Sequence, residues 1–205
     1  MISSSEHIVS LYQRYAGDWD RSRNHNCELF EKGWLDRFRA LVPSGGSVLD
    51  IGCGSAEPIA AYLIGRGHAV TGIDTSPTMI SISRSRFPAH HWLVHDMRAL
   101  ALGTRFQGVL AWDSFFHLTY EHQRAMFPIF AAHAAPGAPL MFTSGPQHGE
   151  AIGSFQGEDL YHASLDPAEY RTLLGANGFS VLAYVAEDPT CGRHTVWLAQ
   201  RDEDR

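Results

Sequence analysis

The sequence predicts an α/β fold in which a mostly parallel sheet is covered by helices on both faces. Two observations carry this prediction. From residue 47 onward, short apolar segments alternate with stretches of helical periodicity, and such alternation is typical of parallel sheets. The first apolar segment also ends in a tight glycine turn, Gly52-Cys53-Gly54, directly before a helical stretch. The length of 205 residues fits a single domain built on one full core.

The N-terminal residues 1–43 are predicted to form a helical cap on a core of residues 44–200. One apolar face consists of residues three or four positions apart: Ile8, Leu11, Tyr12, Tyr15 and Trp19. A second amphipathic stretch covers residues 29–41, and the polar residues 18–26 between the two are predicted as a loop. The aromatic face fits ordinary core packing, but it also fits a lid over a ligand, with Tyr15 and Trp19 pointing inward.

The core is predicted to contain seven strands and four helices. The strands are 48–51, 69–73, 91–94, 106–111, 140–143, 180–185 and 195–199, and the helices are 58–66, 77–86, 119–134 and 167–177. Capping signals place several helix ends: Gly67 after the first helix, Ser76-Pro77 before the second, Thr119 before the third, and an Asp166-Pro167-Ala168-Glu169 capping box before the fourth. Residues 144–164 lack strong periodicity and are predicted as an irregular segment on the substrate side.

The composition argues against several classes of function. The formal net charge of −6 argues against a large electropositive surface, so no nucleic-acid partner is expected. No apolar run approaches membrane-spanning length, and no basic segment followed by an apolar one begins the sequence, so no signal peptide is expected. Cys27, Cys53 and Cys191 form no CxxC pair, so neither a disulfide framework nor a metal site is expected. A cytoplasmic setting is predicted.

Aspartates stand at or just after the carboxyl ends of four predicted strands: Asp50, Asp74, Asp96 and Asp113. Ligands of such sheets bind at this edge, so the four carboxylates are expected to surround a ligand. Gly52 and Gly54 allow the backbone to approach that ligand closely. Asp74 follows Gly54 by twenty residues, which is the usual spacing for an acid that accepts hydrogen bonds from both ribose hydroxyls.

The remaining polar and sulfur-containing residues narrow the ligand to an adenosine with a cationic tail. Asp96 is placed to accept from the exocyclic amine of adenine, and Met79 and Met97 suit a purine face. A dinucleotide site would prefer a third glycine, but Glu57 occupies that position. A glutamate there repels a pyrophosphate and tolerates a cationic ligand, so an NAD-dependent oxidoreductase is disfavoured.

Four motifs in order carry a family resemblance. Val48–Ala56, Gly72–Ile80, His95-Asp96-Met97 and Gly108–Ser114 resemble the successive motifs of class I S-adenosylmethionine-dependent methyltransferases. The resemblance extends to the closing strands, including Thr195-Val196-Trp197-Leu198-Ala199, and covers roughly residues 44–200. One departure is Ala56, which stands where the family commonly has glycine.

The resemblance implies a Rossmann-like, seven-stranded sheet in the order 3-2-1-4-5-7-6 with the last strand antiparallel. It also implies S-adenosyl-L-methionine as the cofactor. The implied contacts are Asp50 and the Gly52-Cys53-Gly54 backbone at the methionine portion, Asp74 and Thr75 at the ribose, Asp96 and Met97 at the adenine, and Trp112 and Asp113 at the methionine end and the mouth of the substrate pocket. Cys53 is expected to be a small filler and not a nucleophile.

The chemistry implied is in-line displacement of a methyl group from a sulfonium, for which the protein aligns the acceptor and excludes water. A general base is needed only if the acceptor carries a proton, and Asp113, His117 and His148 are the candidates. The Asn-Pro-Pro-aromatic signature of nucleic-acid amino-methylating enzymes is replaced by Trp112-Asp113-Ser114-Phe115. A small-molecule methyltransferase is therefore the favoured function. The alternatives are a non-catalytic module that binds S-adenosylmethionine or S-adenosylhomocysteine, and the oxidoreductase.

Overall fold

The sheet at the centre of the molecule has seven strands, and the computed structural model describes residues 4–25 and 29–203. Its strands are β1 (Ser47–Ile51), β2 (Ala69–Asp74), β3 (His91–Val94), β4 (Gly108–Ala111), β5 (Pro139–Ser144), β8 (Phe179–Asp188) and β9 (His194–Arg201). They follow the order β3-β2-β1-β4-β5-β9-β8. The first five are parallel, and β9 is antiparallel to both of its neighbours. The predicted fold class and strand order are confirmed.

Helices pack on both faces of this sheet and over its carboxyl edge. They are α1 (Ser4–Arg14), α2 (Ala16–His25), α3 (Lys32–Leu41), α4 (Ile59–Gly65), α5 (Pro77–Arg86), α6 (Tyr120–His133) and α7 (Pro167–Ala176). Alternate residues of one strand enter different cores: Leu49 and Ile51 pack with the aromatic residues of α6 and α7, while Val48 packs with α3 and α4. Burial on both faces explains why a central strand such as β1 has adjacent apolar residues, Val48 and Leu49, instead of a strict alternation.

The predicted helix starts are largely confirmed. The side chains of Ser76, Thr119 and Asp166 accept hydrogen bonds from backbone N–H groups in the first turns of α5, α6 and α7. Glu169 was expected to complete a capping box with Asp166, but its carboxylate instead accepts a hydrogen bond of 2.6 Å from Arg124 on α6.

The loop predicted over residues 18–26 is wrong, because helix α2 runs from Ala16 to His25. This helix is polar, and its support comes from elsewhere in the chain. Asp20 forms an ion pair of 2.5 Å with Arg86 of α5, and the ring of Trp19 packs edge-on against Tyr12 of α1. The last position of the predicted loop, Asn26, lies outside the described residues, as does Cys27.

The irregular segment predicted over residues 144–164 is also wrong, because most of it is a β-hairpin. Strands β6 (Gly149–Phe155) and β7 (Glu158–Ser164) pair antiparallel around a two-residue turn. The turn residues Gln156 and Gly157 both have positive φ, +55° and +80°, as a type I′ hairpin turn requires. Strand β6 is largely exposed, so it lacks the apolar alternation by which strands are recognised.

Candidate functional site

A cavity lies at the carboxyl edge of the parallel strands, where the sequence places its ligand. It is called the Asp74 cavity here. Its floor and walls come from the β1 turn and from the ends of β2, β3 and β4, and helices α1 and α2 cover it. The lining includes Ile8, Val9, Tyr12, Trp19, Gly52, Gly54, Asp74, Thr75, Met79, Asp96, Met97, Arg98, Asp113, Ser114 and His117.

A second compartment adjoins this cavity across the glycine turn and is called the Asp50 compartment. Its lining consists of Trp19, Arg23, Asp50, Gly52, Cys53, Gly54, Glu57, Ile59, Trp112 and Asp113. Four residues belong to both linings, namely Trp19, Gly52, Gly54 and Asp113. The two spaces are therefore neighbouring halves of one elongated site. Most of the residues predicted to bind the cofactor line one half or the other.

The glycine turn has a conformation that larger residues would disturb. The N–H groups of Gly52 and Cys53 both donate to the carbonyl of Ile73, at 2.8 and 2.9 Å. Gly52 has a φ of +78°, and a Cβ there would lie 2.3 Å from the Cβ of Ser114. Ala56 also has a positive φ, +68°. The position where the family commonly has glycine is thus one whose backbone favours glycine.

Asp74 is held in a fixed orientation at the end of β2. Its carboxylate oxygens accept hydrogen bonds from the N–H groups of Gly54 (3.0 Å) and Ser76 (2.8 Å). Burial raises the pKa of Asp74, and the backbone hydrogen bonds partly offset that effect. Each oxygen keeps lone-pair capacity for a further donor, which suits two neighbouring hydroxyl groups.

Acidic groups also gather around the Asp50 compartment. Asp50 is only 3% exposed, and burial, reinforced by the charge of Asp74, raises its pKa to about 7. Burial also raises the pKa of Glu57 and that of the Cys53 thiol. A cation bound here would lower these carboxyl pKa values again, since opposite charge favours the ionised form. The thiol keeps its proton, as expected of a filler.

Asp96 lines the Asp74 cavity, but its carboxylate is already bonded. Both oxygens accept from the guanidinium of Arg98, at 2.6 to 3.0 Å, and Oδ1 also accepts from the Arg98 backbone N–H. Partial burial would raise the pKa of Asp96, but these bonds outweigh it and lower the pKa. A donor from a ligand would share the carboxylate with Arg98.

Asp113 has a partner that sequence reasoning missed. The Nε2 of His194 lies 3.0 and 3.2 Å from the two carboxylate oxygens of Asp113. The Nδ1 of the same ring faces the carbonyl of Cys191 at 2.9 Å, so both ring nitrogens face hydrogen-bond acceptors, an arrangement that favours the protonated ring. Burial lowers the pKa of His194, but the hydrogen bond and charge of Asp113 reverse this and raise it. The ring is stacked between Phe30 and Trp112.

His117 lies in the same cavity as Asp113 and has the opposite protonation preference. Its Nδ1 faces the carbonyl of Tyr161 at 2.8 Å, and its Nε2 lies 3.0 Å from the hydroxyl of Tyr12. Burial lowers the pKa of His117 to about 4, so the ring is neutral. The Nδ1–H then donates to the carbonyl, and Nε2 accepts from Tyr12, whose own pKa is raised by burial and by Asp113.

His148, the third catalytic candidate, is not brought together with the other two. It lines a separate groove between the hairpin and the end of β5, together with Phe116, Glu150 and His162; this is called the His148 groove. Its ring stacks on Tyr120 at 4.7 Å. The groove and the Asp74 cavity share a wall, because His162 stacks on His117 with ring centroids 4.9 Å apart.

Helices α1 and α2 and the tip of the β6–β7 hairpin meet above the site, and together they are called the lid. Phe155 of the hairpin packs against Tyr12, Tyr15 and Trp19. Trp19 lines both halves of the site, but Tyr15 does not point inward. Its hydroxyl instead donates to Glu158 at 2.9 Å, because the hairpin, which the sequence did not reveal, offers that carboxylate outside the cavity.

Among the residues that the structure describes, no group of three or more His, Cys, Asp and Glu side chains is arranged to hold a metal ion. Within the same residues, no helix combines the length and apolar character needed to cross a membrane.

The strand order, the glycine turn after β1, the acid at the end of β2 and the acid just after β3 define a Rossmann-like methyltransferase fold. Residues 48–137 match the family model described as a methyltransferase domain. This match spans less than half of the chain, and it agrees with the resemblance of the motifs to class I S-adenosylmethionine-dependent methyltransferases.

Several known proteins are similar to this chain. "Putative methyltransferase YqeM" of Bacillus subtilis is 32% identical over 101 residues, which cover 48% of this chain and 38% of that protein. A malonyl-[acyl-carrier protein] O-methyltransferase of Serratia marcescens is 25% identical over 174 residues, covering 82% and 66% of the two chains. The chain thus spans between 38% and 66% of these two relatives.

Solved structures share the fold at lower identity. CalS10, an amino pentose methyltransferase from Micromonospora echinaspora solved with bound S-adenosylmethionine, superimposes with a TM-score of 0.70 at 21% identity over 89% of this chain and 96% of its own. The 1,6-didemethyltoxoflavin-N1-methyltransferase of Burkholderia thailandensis gives 0.74 at 18% identity, over 100% and 92%.

Proposed function

We propose that this chain binds S-adenosyl-L-methionine across the Asp74 cavity and the Asp50 compartment and transfers its methyl group to a small-molecule acceptor. The observation that carries the proposal is the Asp74 carboxylate, held by the Gly54 and Ser76 N–H groups beside the glycine turn. A buried carboxylate fixed at the end of the second strand suits a ribose diol. The acids of the adjoining compartment suit a ligand with positive charge in its tail.

The residues fit this cofactor from one end of the site to the other. In the proposal the adenine lies near Asp96, Met97 and Met79, the ribose is bound by Asp74 and Thr75, and the methionine portion is bordered by Asp50, the Gly52-Cys53-Gly54 backbone, Trp112 and Asp113, with Trp19 above. Tyr15 acts from outside, by holding the hairpin in place through Glu158.

When bound, S-adenosyl-L-methionine supplies a methyl group activated by its positive sulfur. The protein's part is to align the acceptor and keep water out. The aromatic rings of the lid, from Tyr12, Trp19 and Phe155, cover the site and serve the second purpose. The Asp113–His194 pair provides a fixed carboxylate whose position is set by the stacked imidazole ring.

His117 is proposed as the general base for a substrate whose methyl-accepting atom carries a proton. Its Nε2 is unprotonated and lies in the cavity, where it accepts from the hydroxyl of Tyr12. A hydroxyl or amine of the substrate that displaced the Tyr12 hydroxyl would donate its hydrogen bond to the lone pair of His117 Nε2. Asp113 is less suited to the role, because its carboxylate is already paired with the ring of His194.

The acceptor is proposed to enter from the side of the His148 groove. His162 lines this groove and stacks on His117, which lines the Asp74 cavity, so a shift of one ring would join the two spaces. His148, which lines this groove, is therefore proposed to contact a part of the substrate that lies away from the atom to be methylated. The net charge of −6 supports a small molecule over a nucleic acid.

A cytoplasmic location is supported by the cysteines of the described residues. Cys53 and Cys191 are both buried as free thiols, as expected for a protein in a reducing environment.

The function is tested by incubating the protein with S-adenosylmethionine and a fractionated metabolite extract while S-adenosylhomocysteine is measured by mass spectrometry. At least one fraction is expected to stimulate its formation, and the Asp74→Ala variant should abolish the stimulation. Binding without turnover in any fraction would favour the non-catalytic module. A fluorescence change with NADH, in the absence of any response to S-adenosylmethionine, would favour the oxidoreductase.

A further inference from the structure

Arg23 introduces a permanent positive charge into a compartment that is otherwise acidic. The described residues that line the Asp50 compartment include three carboxylates, from Asp50, Glu57 and Asp113, and Arg23 is the one arginine or lysine among them. It belongs to α2, which also contributes Trp19 to the lining. The helix that the sequence did not predict therefore brings a cation to the site.

The guanidinium of Arg23 is held from behind by a buried acid. Its Nη2 donates to Oε1 of Glu31 at 2.6 Å, and the Glu31 side chain is fully buried while that of Arg23 is 19% exposed. The guanidinium also lies 5.7 Å from the centroid of the Phe30 ring. The bond to Glu31 uses one of the five N–H groups of a guanidinium. The group is thus oriented, with donors remaining for a ligand.

The tail of the proposed cofactor has three charged groups, which differ in sign and so require side chains of opposite charge. Its sulfonium and ammonium are positive and match Asp50, Glu57 and Asp113. Its carboxylate is negative and would be repelled by these same acids unless a cation were present. A guanidinium fork matches a carboxylate in shape and charge.

We propose that Arg23 binds the carboxylate of the methionine portion and that Glu31 is the positioning residue that aims it. This inference rests on the proposed function. It makes Arg23 a specificity-determining residue: the protein should distinguish S-adenosylmethionine from its decarboxylated form, which keeps the sulfonium and the amine but lacks the carboxylate. The sequence alone gave no reason to select this arginine, because its partner acid and its compartment are set by the fold.

The test is a set of calorimetric titrations with S-adenosylmethionine and with decarboxylated S-adenosylmethionine. The wild-type protein should bind the first roughly 10- to 150-fold more tightly, the range for a charge-assisted hydrogen bond. The Arg23→Met variant should lose most of this preference by weakening the first ligand and not the second. Arg23→Lys, which keeps the charge but loses the fork, should fall between. Arg21→Met, on the same helix and 67% exposed at its side chain, is the matched control and should leave the preference unchanged.

Removing Arg23 leaves the buried Glu31 unpaired, which is destabilising, so Arg23→Met/Glu31→Gln is made alongside it to remove the orphaned charge. The comparison of the two ligands on the wild-type protein needs no variant at all. Equal wild-type affinity for both ligands would overturn the assignment of Arg23, as would equal weakening of both ligands in folded Arg23→Met. Failure of the wild-type protein to bind S-adenosylmethionine would instead overturn the proposed function.

Discussion

Replacing Asp74 by alanine removes the carboxylate on which the proposed ribose contact depends. Two ribose hydroxyls would donate to two carboxylate oxygens, and a hydrogen bond to a charged group contributes about 1.5–3 kcal/mol. The expected loss is therefore about 3–6 kcal/mol, or roughly 10²- to 10⁴-fold in the dissociation constant of S-adenosylhomocysteine. Asp74→Asn, which keeps the shape and one accepting oxygen, should show an intermediate loss.

Isothermal titration calorimetry measures the dissociation constants, and urea unfolding checks the fold of each variant. The fold needs checking because the same carboxylate accepts from the Gly54 and Ser76 N–H groups, so some stability is lost as well. Asp202→Ala is the control, since Asp202 is an exposed acid bonded to Ser180 at the far edge of the sheet. A folded Asp74→Ala protein with near-normal affinity would refute the ribose assignment.

Three further predictions concern the turn, the ion pair and the lid. Gly52→Ala should lower the free energy of unfolding by about 2–4 kcal/mol, because the new methyl group overpacks the turn and the positive φ becomes strained. Gly54→Ala should lower it by only about 1 kcal/mol, since a Cβ at Gly54 would meet nothing closer than 3.6 Å. Equal losses of the two variants in urea unfolding would contradict the steric argument. The folded-state pKa of His194 is raised, so its ion pair with Asp113 stabilises the protein fully below the unfolded pKa and less as the pH rises through the folded pKa. His194→Phe should therefore lower the free energy of unfolding more at about pH 5.5 than at about pH 9. A loss that does not depend on pH would count against the pair. Glu158→Gln weakens the ion pair between the hairpin and Arg14 and should speed the release of S-adenosylhomocysteine about 2- to 5-fold in stopped-flow measurements. The control Glu187→Gln, in the exposed pair with Arg193, should leave the release rate unchanged. An unchanged rate in both variants would contradict the role of the lid in retaining the ligand.

The central sheet and the cofactor half of the site could be predicted because their signals are local. Strands such as β1 and β4 are buried on both faces, so adjacent positions such as Val48 and Leu49 are both apolar. Aspartates such as Asp74, the last residue of β2, stand at or just after the strand ends, and parallel strands bring their carboxyl ends to one edge. The glycine turn is equally readable, because the positive φ of Gly52 leaves few alternatives to glycine.

The parts that could not be predicted depend on contacts between distant segments. His194 meets Asp113 across 81 residues of chain, and no pattern near either residue signals the pair. Helix α2 is mostly polar and is held by partners such as Arg86 on another helix. Strand β6 of the β6–β7 hairpin is largely exposed, and the local signal for the hairpin is the Gln156-Gly157 dipeptide at its turn. Tertiary contacts outweighed local propensity in each case.

The central claim is that the site at the carboxyl edge of the sheet binds S-adenosylmethionine. The most direct test is to titrate the wild-type protein in a calorimeter, separately with S-adenosylmethionine, with S-adenosylhomocysteine and with NADH. One-to-one binding of both adenosyl ligands, with no heat from NADH, is the predicted result. The absence of binding by either adenosyl ligand to folded protein would contradict the account.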